Sequence, residues 1–340
     1  MFLKKLGVVA ALALCSLSAS ASNFRGADQV YVPVAGHLQG SSGTFITDLY
    51  IANLTGDEVK VSVIYQPFGD NRNPPAGPVG TEFKDKITLA AGERKEFKDF
   101  FNSGLGQATG FGQLIFNGCK SGASCGAETQ NENGVSPNFR AISVESRIYQ
   151  VANGAPANAP TTGQLFSGIP WYNFVSQLQS APGLDKVFIT GITHTGTAGQ
   201  TGTFRTNIGL VNASQYSSTT LVVKLYQGRL NDTDKKGEAA VDLGPLGNVQ
   251  PGFAALFPQA VLGGNYFVTV EQRNSIPTAD APSTCTQGCP AFLAYGSVLD
   301  NISGDATTLE PQYLIEMNPD ALGVLYPSAG KPTMVRAIRH

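Results

Sequence analysis

Gly43-Thr44-Phe45-Ile46-Thr47-Asp48-Leu49-Tyr50-Ile51-Ala52-Asn53 returns 159 residues later as Gly202-Thr203-Phe204-Arg205-Thr206-Asn207-Ile208-Gly209-Leu210-Val211-Asn212. Each copy alternates apolar with polar or small side chains, the period of a half-buried strand, and ends on an asparagine, a turn residue. A long motif that recurs once divides a chain into two equivalent units and separates scaffold residues from those that occur singly.

Strand signals line up outward from both copies. Val59-Lys60-Val61-Ser62-Val63-Ile64-Tyr65 answers Leu221-Val222-Val223-Lys224-Leu225-Tyr226, and Gln113-Leu114-Ile115-Phe116 answers Tyr266-Phe267-Val268-Thr269-Val270. Between them, Ile87-Thr88-Leu89 before Gly92 is matched with Val249-Gln250-Pro251 before Gly252, and Phe139 to Tyr149 with Phe292 to Leu299. Charged residues are only 14% of the chain while glycine numbers 39 and proline 20, a turn-rich composition that favours strands over helices. The expected fold class is all-β, two tandem Ig-like β-sandwich domains related by internal duplication. The boundaries read as a signal peptide over 1–21, a first sandwich over 22–151 and a linker with an aromatic segment over 152–185. A second sandwich follows over 186–305, then an extended tail over 306–340. Gly69 to Thr81 and Arg229 to Glu238 read as hairpin-loop insertions that differ between the copies.

Lys4 and Lys5 precede an apolar run from Leu6 to Leu14 and a small-residue site at Ala19-Ser20-Ala21, the pattern of an export signal cleaved before Ser22. Acylation at Cys15 is the competing reading, and Leu14 stands where that signal wants a small residue. No later stretch approaches the roughly 20 apolar residues of a membrane helix, so no integral membrane segment is expected. Loss of the leader leaves 21 basic against 25 acidic residues, a balance that argues against nucleic acid or an anionic membrane as partner. The expected location is outside the cytoplasm: periplasmic, cell-surface or extracellular.

The remaining cysteines form two close pairs, Cys119 with Cys125 and Cys285 with Cys289, which fall 76 and 83 residues after the start of their copy of the motif. Two local disulfides in corresponding loops are expected, pinning loop tips more than holding the fold. A four-thiolate metal site is the rival, weakened by the spacing and by the absence of a neighbouring histidine.

The chain resembles secreted proteins of environmental bacteria that pair two Ig-like sandwiches, each half opened by a Gly-Thr-aromatic strand. The likeness extends to Ser146-Arg147-Ile148-Tyr149, Gly163-Gln164 and Ile169-Pro170 at the end of the first half. It also covers Ala294-Tyr295-Gly296-Ser297-Val298-Leu299-Asp300-Asn301-Ile302-Ser303-Gly304-Asp305 at the end of the second. That resemblance implies a fold and brings no activity to any residue.

Catalytic candidates are few. His37 and His194 precede the two motif copies by six and eight residues, so duplication accounts for them without a metal. Gly122-Ala123-Ser124-Cys125-Gly126 matches a nucleophile elbow in letters only, because no helical pattern follows it. In Asn231 to Glu238 a lysine replaces an oxygen ligand of a calcium loop; Asp300, Asn301, Ser303 and Asp305 make a better oxygen cluster, though also an ordinary turn. Asn53 and Asn212 lie in glycosylation-like triplets and are read as turn formers. Trp171 and Tyr172 read first as packing between the domains and second as a ligand platform. No cofactor and no enzymatic activity are expected. The expectation is a non-enzymatic surface, matrix or adhesion module acting through its loops. A carbohydrate-binding or carbohydrate-processing protein and a self-assembling surface subunit are the alternatives, so a surface glycan or a second copy stands as the candidate partner.

Overall fold

A computed structural model describes residues 26–40, 43–69, 80–123, 138–156, 161–176, 185–196, 202–281, 283, 286–303 and 305–312. The leader, Cys125, Cys285, Ser124, Gly304 and the tail beyond Gln312 lie outside the described residues, and so do the expectations attached to them.

Among the described residues the regular structure is almost wholly antiparallel β. The first half runs β1 (Gln29–Gln39), β2 (Gly43–Asn53), β3 (Val59–Pro67), β4 (Thr81–Leu89), β5 (Arg94–Phe97), a π-helical turn (Phe100–Leu105), β6 (Gly110–Lys120), β7 (Ile142–Ala152), β8 (Thr162–Ser167) and β9 (Ile169–Pro170). After a 3-10 turn at Trp171–Asn173 come β10 (Lys186–Ile192), β11 (Phe204–Asn212), β12 (Ser217–Gln227), β13 (Lys235–Leu243) and β14 (Asn248–Val249). The short helix α1 (Phe253–Leu256), β15 (Tyr266–Pro277), β16 (Phe292–Asp300) and β17 (Ala306–Leu309) complete the second half.

The strand orders repeat. In the first half β4-β3-β6-β1 faces β5-β2-β7-β8; in the second β13-β12-β15-β10 faces β14-β11-β16-β17. The halves differ at β1, which pairs with β6, β9 and β2 and so joins its two layers into one folded nine-stranded sheet, whereas the second half keeps two separate four-stranded sheets.

The shared letters of the repeated strand have physical reasons. Leu49 and Ile51, like Ile208 and Leu210, are buried in the core of their own half. Thr47 accepts a hydrogen bond on Oγ1 from Gly36 N at 2.7 Å, beside the irregularity in β1; Thr206 does the same for Thr193 N at 3.0 Å, just past β10. The closing asparagines tie two loops together. Asn53 donates to Asp57 O and Ala90 O at 2.7 and 2.8 Å, and Asn212 to Ser217 O and Gly244 O at 2.7 and 2.8 Å. Both amides are buried turn determinants, as the sequence implied.

Two expected correspondences change. The counterpart of β4 is β13, and β5, not the end of β4, answers Val249. Lys235 to Glu238 therefore belong to a strand and not to an exposed loop. The reason is that β13 is an edge strand exposed on one face, so its Lys-Lys-Gly-Glu start carries no apolar alternation. The stretch read as linker also carries structure: β8 pairs with β7, and β9 with the start of β1.

Three buried clusters give the layering. One is built only from residues between Ala27 and Val144, a second only from residues between Val175 and Ala294. The third lies between the halves and contains Tyr31, Ile115, Phe166, Phe174, Val211, Leu293 and Tyr295. Along β1, Val30 and Val32 point into the first core while Tyr31 points out into the seam; along β16, Phe292 and Ala294 point into the second core while Leu293 and Tyr295 point into the same seam. The molecule is thus a stack of four layers with three apolar fillings, each fully buried aliphatic or aromatic side chain contributing about 1.5–3 kcal/mol. Polar ties flank the seam: Tyr31 Oη donates to Ala213 O at 3.2 Å, Gln113 Nε2 to Leu246 O at 3.1 Å, and Gly69 and Asn248 exchange backbone bonds at 2.9 and 2.7 Å.

Candidate functional site

The outer face of the first half gathers a connected set of ionisable groups. On β2, Asp48 and Tyr50 lie opposite Arg147 and Glu145 of β7, and Tyr50 lies opposite Glu96 of β5. Strand alternation sends these side chains away from the core that takes Leu49 and Ile51. Asp48 is the hub, its side chain only 3% exposed. Its carboxylate accepts from Lys98 Nζ at 2.9 Å, Asp99 N at 3.0 Å and Tyr149 Oη at 3.1 Å. Asp99, held in the left-handed region at φ 47, turns its own carboxylate to His37 Nδ1 at 2.8 Å.

The electrostatics follow from these contacts. Burial, then the charge of Asp48, pushes the Tyr149 phenol up to about 12, so it stays protonated at neutral pH and donates to Asp48. Glu96 and then Asp48 hold the Lys98 ammonium above the usual lysine range, and Lys98 in turn lowers Glu96. Arg94 and Lys98 sit 5.1 and 5.6 Å from the Tyr50 ring centre, and Arg147 4.6 Å from that of Tyr149. The arrangement is a preorganised polar face in which cations lie against aromatic rings. In Asp48→Asn, ultraviolet titration is expected to show Tyr149 falling toward the ordinary tyrosine value of about 10, because one of the two main causes of its rise is gone. An unchanged midpoint would make burial the sole cause.

A concavity of about 690 Å³ opens between β8 and β17, lined by Leu165, Ser167, Thr190, Thr307, Leu309 and Glu310. Between β8, β16 and β17, Gln164 Nε2 donates to Thr308 Oγ1 at 2.8 Å and Ser297 Oγ to Gln164 Oε1 at 3.0 Å.

The residues singled out in the sequence are dispersed. Trp171 packs against both the first core and the seam, and its indole N–H donates to Asp28 Oδ1 at 2.8 Å; Tyr172 stands edge-on to it at 5.9 Å. His194 lies against Phe253 at the start of α1, with ring centres 5.5 Å apart, while His37 takes Asp99 ahead of the π-helical turn. Asp300 Oδ1 accepts from Ile302 N at 2.7 Å and Ser303 N at 3.3 Å, which holds its carboxylate low. Asn301 Oδ1 takes Arg205 Nη1 at 2.7 Å, Ser303 Oγ takes Asp305 N at 3.1 Å, and Asp305 Oδ1 takes Gly163 N at 3.2 Å. These oxygens thus accept from N–H groups, those of Asp300 and Ser303 from within the turn and those of Asn301 and Asp305 from Arg205 and Gly163 of other segments. Asn231 and Asp234 likewise bond each other and Arg229 N. Cys119 ends in β6 and Cys289 lies in the loop before β16. The Asp48 hub was not found from the sequence. Its one trace was the Asp/Asn shared by the repeated strands, and nothing in the letters links it to Lys98, fifty residues on, or to Tyr149 beyond.

No family model matches the chain, and no curated protein matches it. Among solved structures, a biofilm associated protein BSP domain is 12% identical over 88% of this chain and 61% of that one, with a TM-score of 0.19. A Bacteroides uniformis beta-glucuronidase 2, covalently bound to cyclophellitol-6-carboxylate aziridine, is 8% identical over 86% of this chain and 26% of that one, with a TM-score of 0.14. This chain therefore spans about three-fifths of the first and a quarter of the second, and neither likeness bears on its function. Among the described residues no helix is long and apolar enough to cross a membrane.

Proposed function

We propose that the protein is an exported, non-catalytic module of the cell surface or extracellular matrix that holds a polar partner, a surface glycan foremost, on the outer face of its first half. Membership among secreted paired-sandwich proteins, cleavage before Ser22 and the Cys119–Cys125 and Cys285–Cys289 disulfides are parts of this reading. The observation that carries it is a contrast between equivalent positions. Where the second half has Gly209 with Tyr295 and Val211 with Leu293 buried in the seam, the first has Tyr50 with Glu145 and Ala52 with Ser143 on an outer face. That face carries two partly exposed tyrosines held rigidly by charged neighbours, a surface able to stack on sugar rings and bond their hydroxyls without paying much ordering entropy.

The test has two arms. Cell fractionation with intact-mass measurement is expected to place a chain beginning at Ser22, with four cysteines oxidised, outside the cytoplasm. Glycan-array and cell-binding assays are expected to lose at least about tenfold in affinity with Tyr50→Ala plus Tyr149→Ala, about 1.4 kcal/mol. A cytoplasmic chain, or turnover of any substrate in a broad panel that one side-chain replacement abolishes, would overturn the proposal.

A further inference from the structure

At one corner of the seam the side chains run against the rule of burial. Gln66 of β3 lies directly opposite Gln113 of β6. Each stands two residues from a seam residue of its own strand, Ile64 and Ile115, so both amides face the second half. The equivalent pair in the second half is Tyr226 with Phe267, since Lys224 and Thr269 answer Ile64 and Ile115. Those two rings stack on the outer side of their sheet, with centroids 5.2 Å apart and planes 12° from parallel. Aromatic side chains thus take the outward place and amides the buried one, the reverse of what transfer from water favours. Gln66 and Gln113 are both 0% exposed. Asn248 of β14, which comes to the same corner from the second half, is 1% exposed.

The three amides use only part of their bonding capacity on the protein. Gln113 Nε2 donates to Leu246 O at 3.1 Å, and Asn248 Nδ2 donates to Pro67 O, beside Gln66, at 3.4 Å. Gln66 Nε2, Gln66 Oε1, Gln113 Oε1 and Asn248 Oδ1 are buried and meet no hydrogen-bond partner among the described residues. Elsewhere in the seam the same group is fully used, Gln164 donating to Thr308 and accepting from Ser297. Buried polar atoms are held in folded proteins by a partner, protein or ordered water, because leaving them unpaired forfeits their hydration. We propose that ordered water is bound at this corner, bridging Gln66 of the first half to Gln113 and to Asn248 of the second. Water suits the set because Gln66 offers a donor and an acceptor in either orientation of its amide, while Gln113 and Asn248 add acceptors. One molecule that both donates and accepts can serve them all, and a buried water makes two to four such bonds. A metal ion would serve the oxygens alone and leave the amide N–H groups of Gln66 facing a positive charge. Gly80, ahead of β4, supplies room: a Cβ there would stand 2.8 Å from Gln66 Oε1.

A high-resolution crystal structure of the full chain reads the site directly. At least one water is expected within about 2.7–3.2 Å of an amide atom of Gln66 and of Gln113 or Asn248. A corner without water, or density there that refines as a metal ion, would overturn the proposal. Thermal unfolding gives a second reading through the sign of one replacement. Gln66→Met keeps the length of the side chain and removes both of its polar atoms. With water bound, the replacement takes away its first-half anchor and leaves Gln113 and Asn248 short of a partner, so the midpoint is expected to fall by roughly 2–4 °C. In a dry corner the same replacement would only relieve two buried atoms of unmade bonds and raise the midpoint. A raised or unchanged midpoint would therefore overturn the proposal as well.

Discussion

Gly209→Val is expected to destabilise the protein by at least about 3 kcal/mol and to uncouple its halves, so that one denaturation transition becomes two. Gly209 of β11 lies directly opposite Tyr295 of β16, and the Tyr295 ring lies across the glycine. A Cβ at position 209 would enter the space of three ring atoms, Cε1, Cζ and Cε2. The ring has nowhere to go, because it is 1% exposed and meets Phe166 of the first half edge-on at 5.6 Å. To admit valine the ring must leave the seam, taking with it the contact that joins β16 to β8. The control is the equivalent position: Tyr50→Gly, on the outer face, is expected to cost about 1 kcal/mol. A second control is Gly209→Val with Tyr295→Ala, whose combined loss is expected to fall short of the sum of the two single losses because both act on one contact. A wild-type midpoint for Gly209→Val in urea would show that the seam does not depend on this approach.

The same comparison bears on whether a further sandwich could stack on either outer face. The first half's inner face offers Tyr31, Ile115 and Ile64 to the seam; the second half has Phe188, Thr269 and Lys224 at those places. Lys224 is ion-paired with Glu271 there. At the opposite end of the stack, Asp48, Arg147 and Lys98 occupy the face that the second half uses for docking. Burying either charged face against another sandwich would require stripping water from its ions, which the mutual attraction of a pair repays poorly. Face-to-face growth of the stack is therefore disfavoured, which narrows the self-assembly alternative to strand edges and loops.

Much of this architecture was legible in the letters because β structure buried on one side writes itself as alternation. Leu49 with Ile51, Val59 with Val61 and Val63, and Val268 with Val270 are core residues at period two, and each marks its strand. Where a strand is exposed the pattern vanishes, and the start of β13, Lys235 to Glu238, accordingly reads as loop. The short bridges at β9 and β14, two residues each, carry no periodicity at all. The polar face was illegible for a different reason. His37, Asp48, the adjacent Lys98 and Asp99, and Tyr149 come from four separate segments, and only the fold brings them together. The oxygen-rich letters from Asp300 to Asp305 are legible as such, and which N–H groups those oxygens accept from depends on backbone direction, which composition does not encode.

Asn212→Asp is the replacement expected to act most strongly at a single polar atom. The Asn212 side chain is fully buried, its amide nitrogen donating to Ser217 O and Gly244 O and its oxygen accepting from Ser214 N at 3.0 Å. A carboxylate there keeps the acceptor and replaces the donor by a charged oxygen facing two carbonyls. Burial and repulsion both disfavour the charged form, so the folded-state pKa of the introduced acid rises above its unfolded value of about 3.9. The folded state then binds the proton more tightly than the unfolded one, and stability falls as pH rises from that unfolded value through the raised folded one. The loss relative to the parent chain is expected to be smallest near pH 4, where the protonated acid can still donate one bond, and to reach at least about 3 kcal/mol at pH 7. Asn212→Ala, which leaves two carbonyls and one N–H without this partner, is expected to cost about 2–3 kcal/mol at both pH values. Urea denaturation of the two variants at pH 4 and pH 7 separates the cases, and a pH-independent loss in Asn212→Asp equal to that of Asn212→Ala would mean that the loops open and admit water around the site. The same pair of replacements at Asn53, whose amide bridges Asp57 and Ala90 in the same way, is expected to repeat the pattern in the first half.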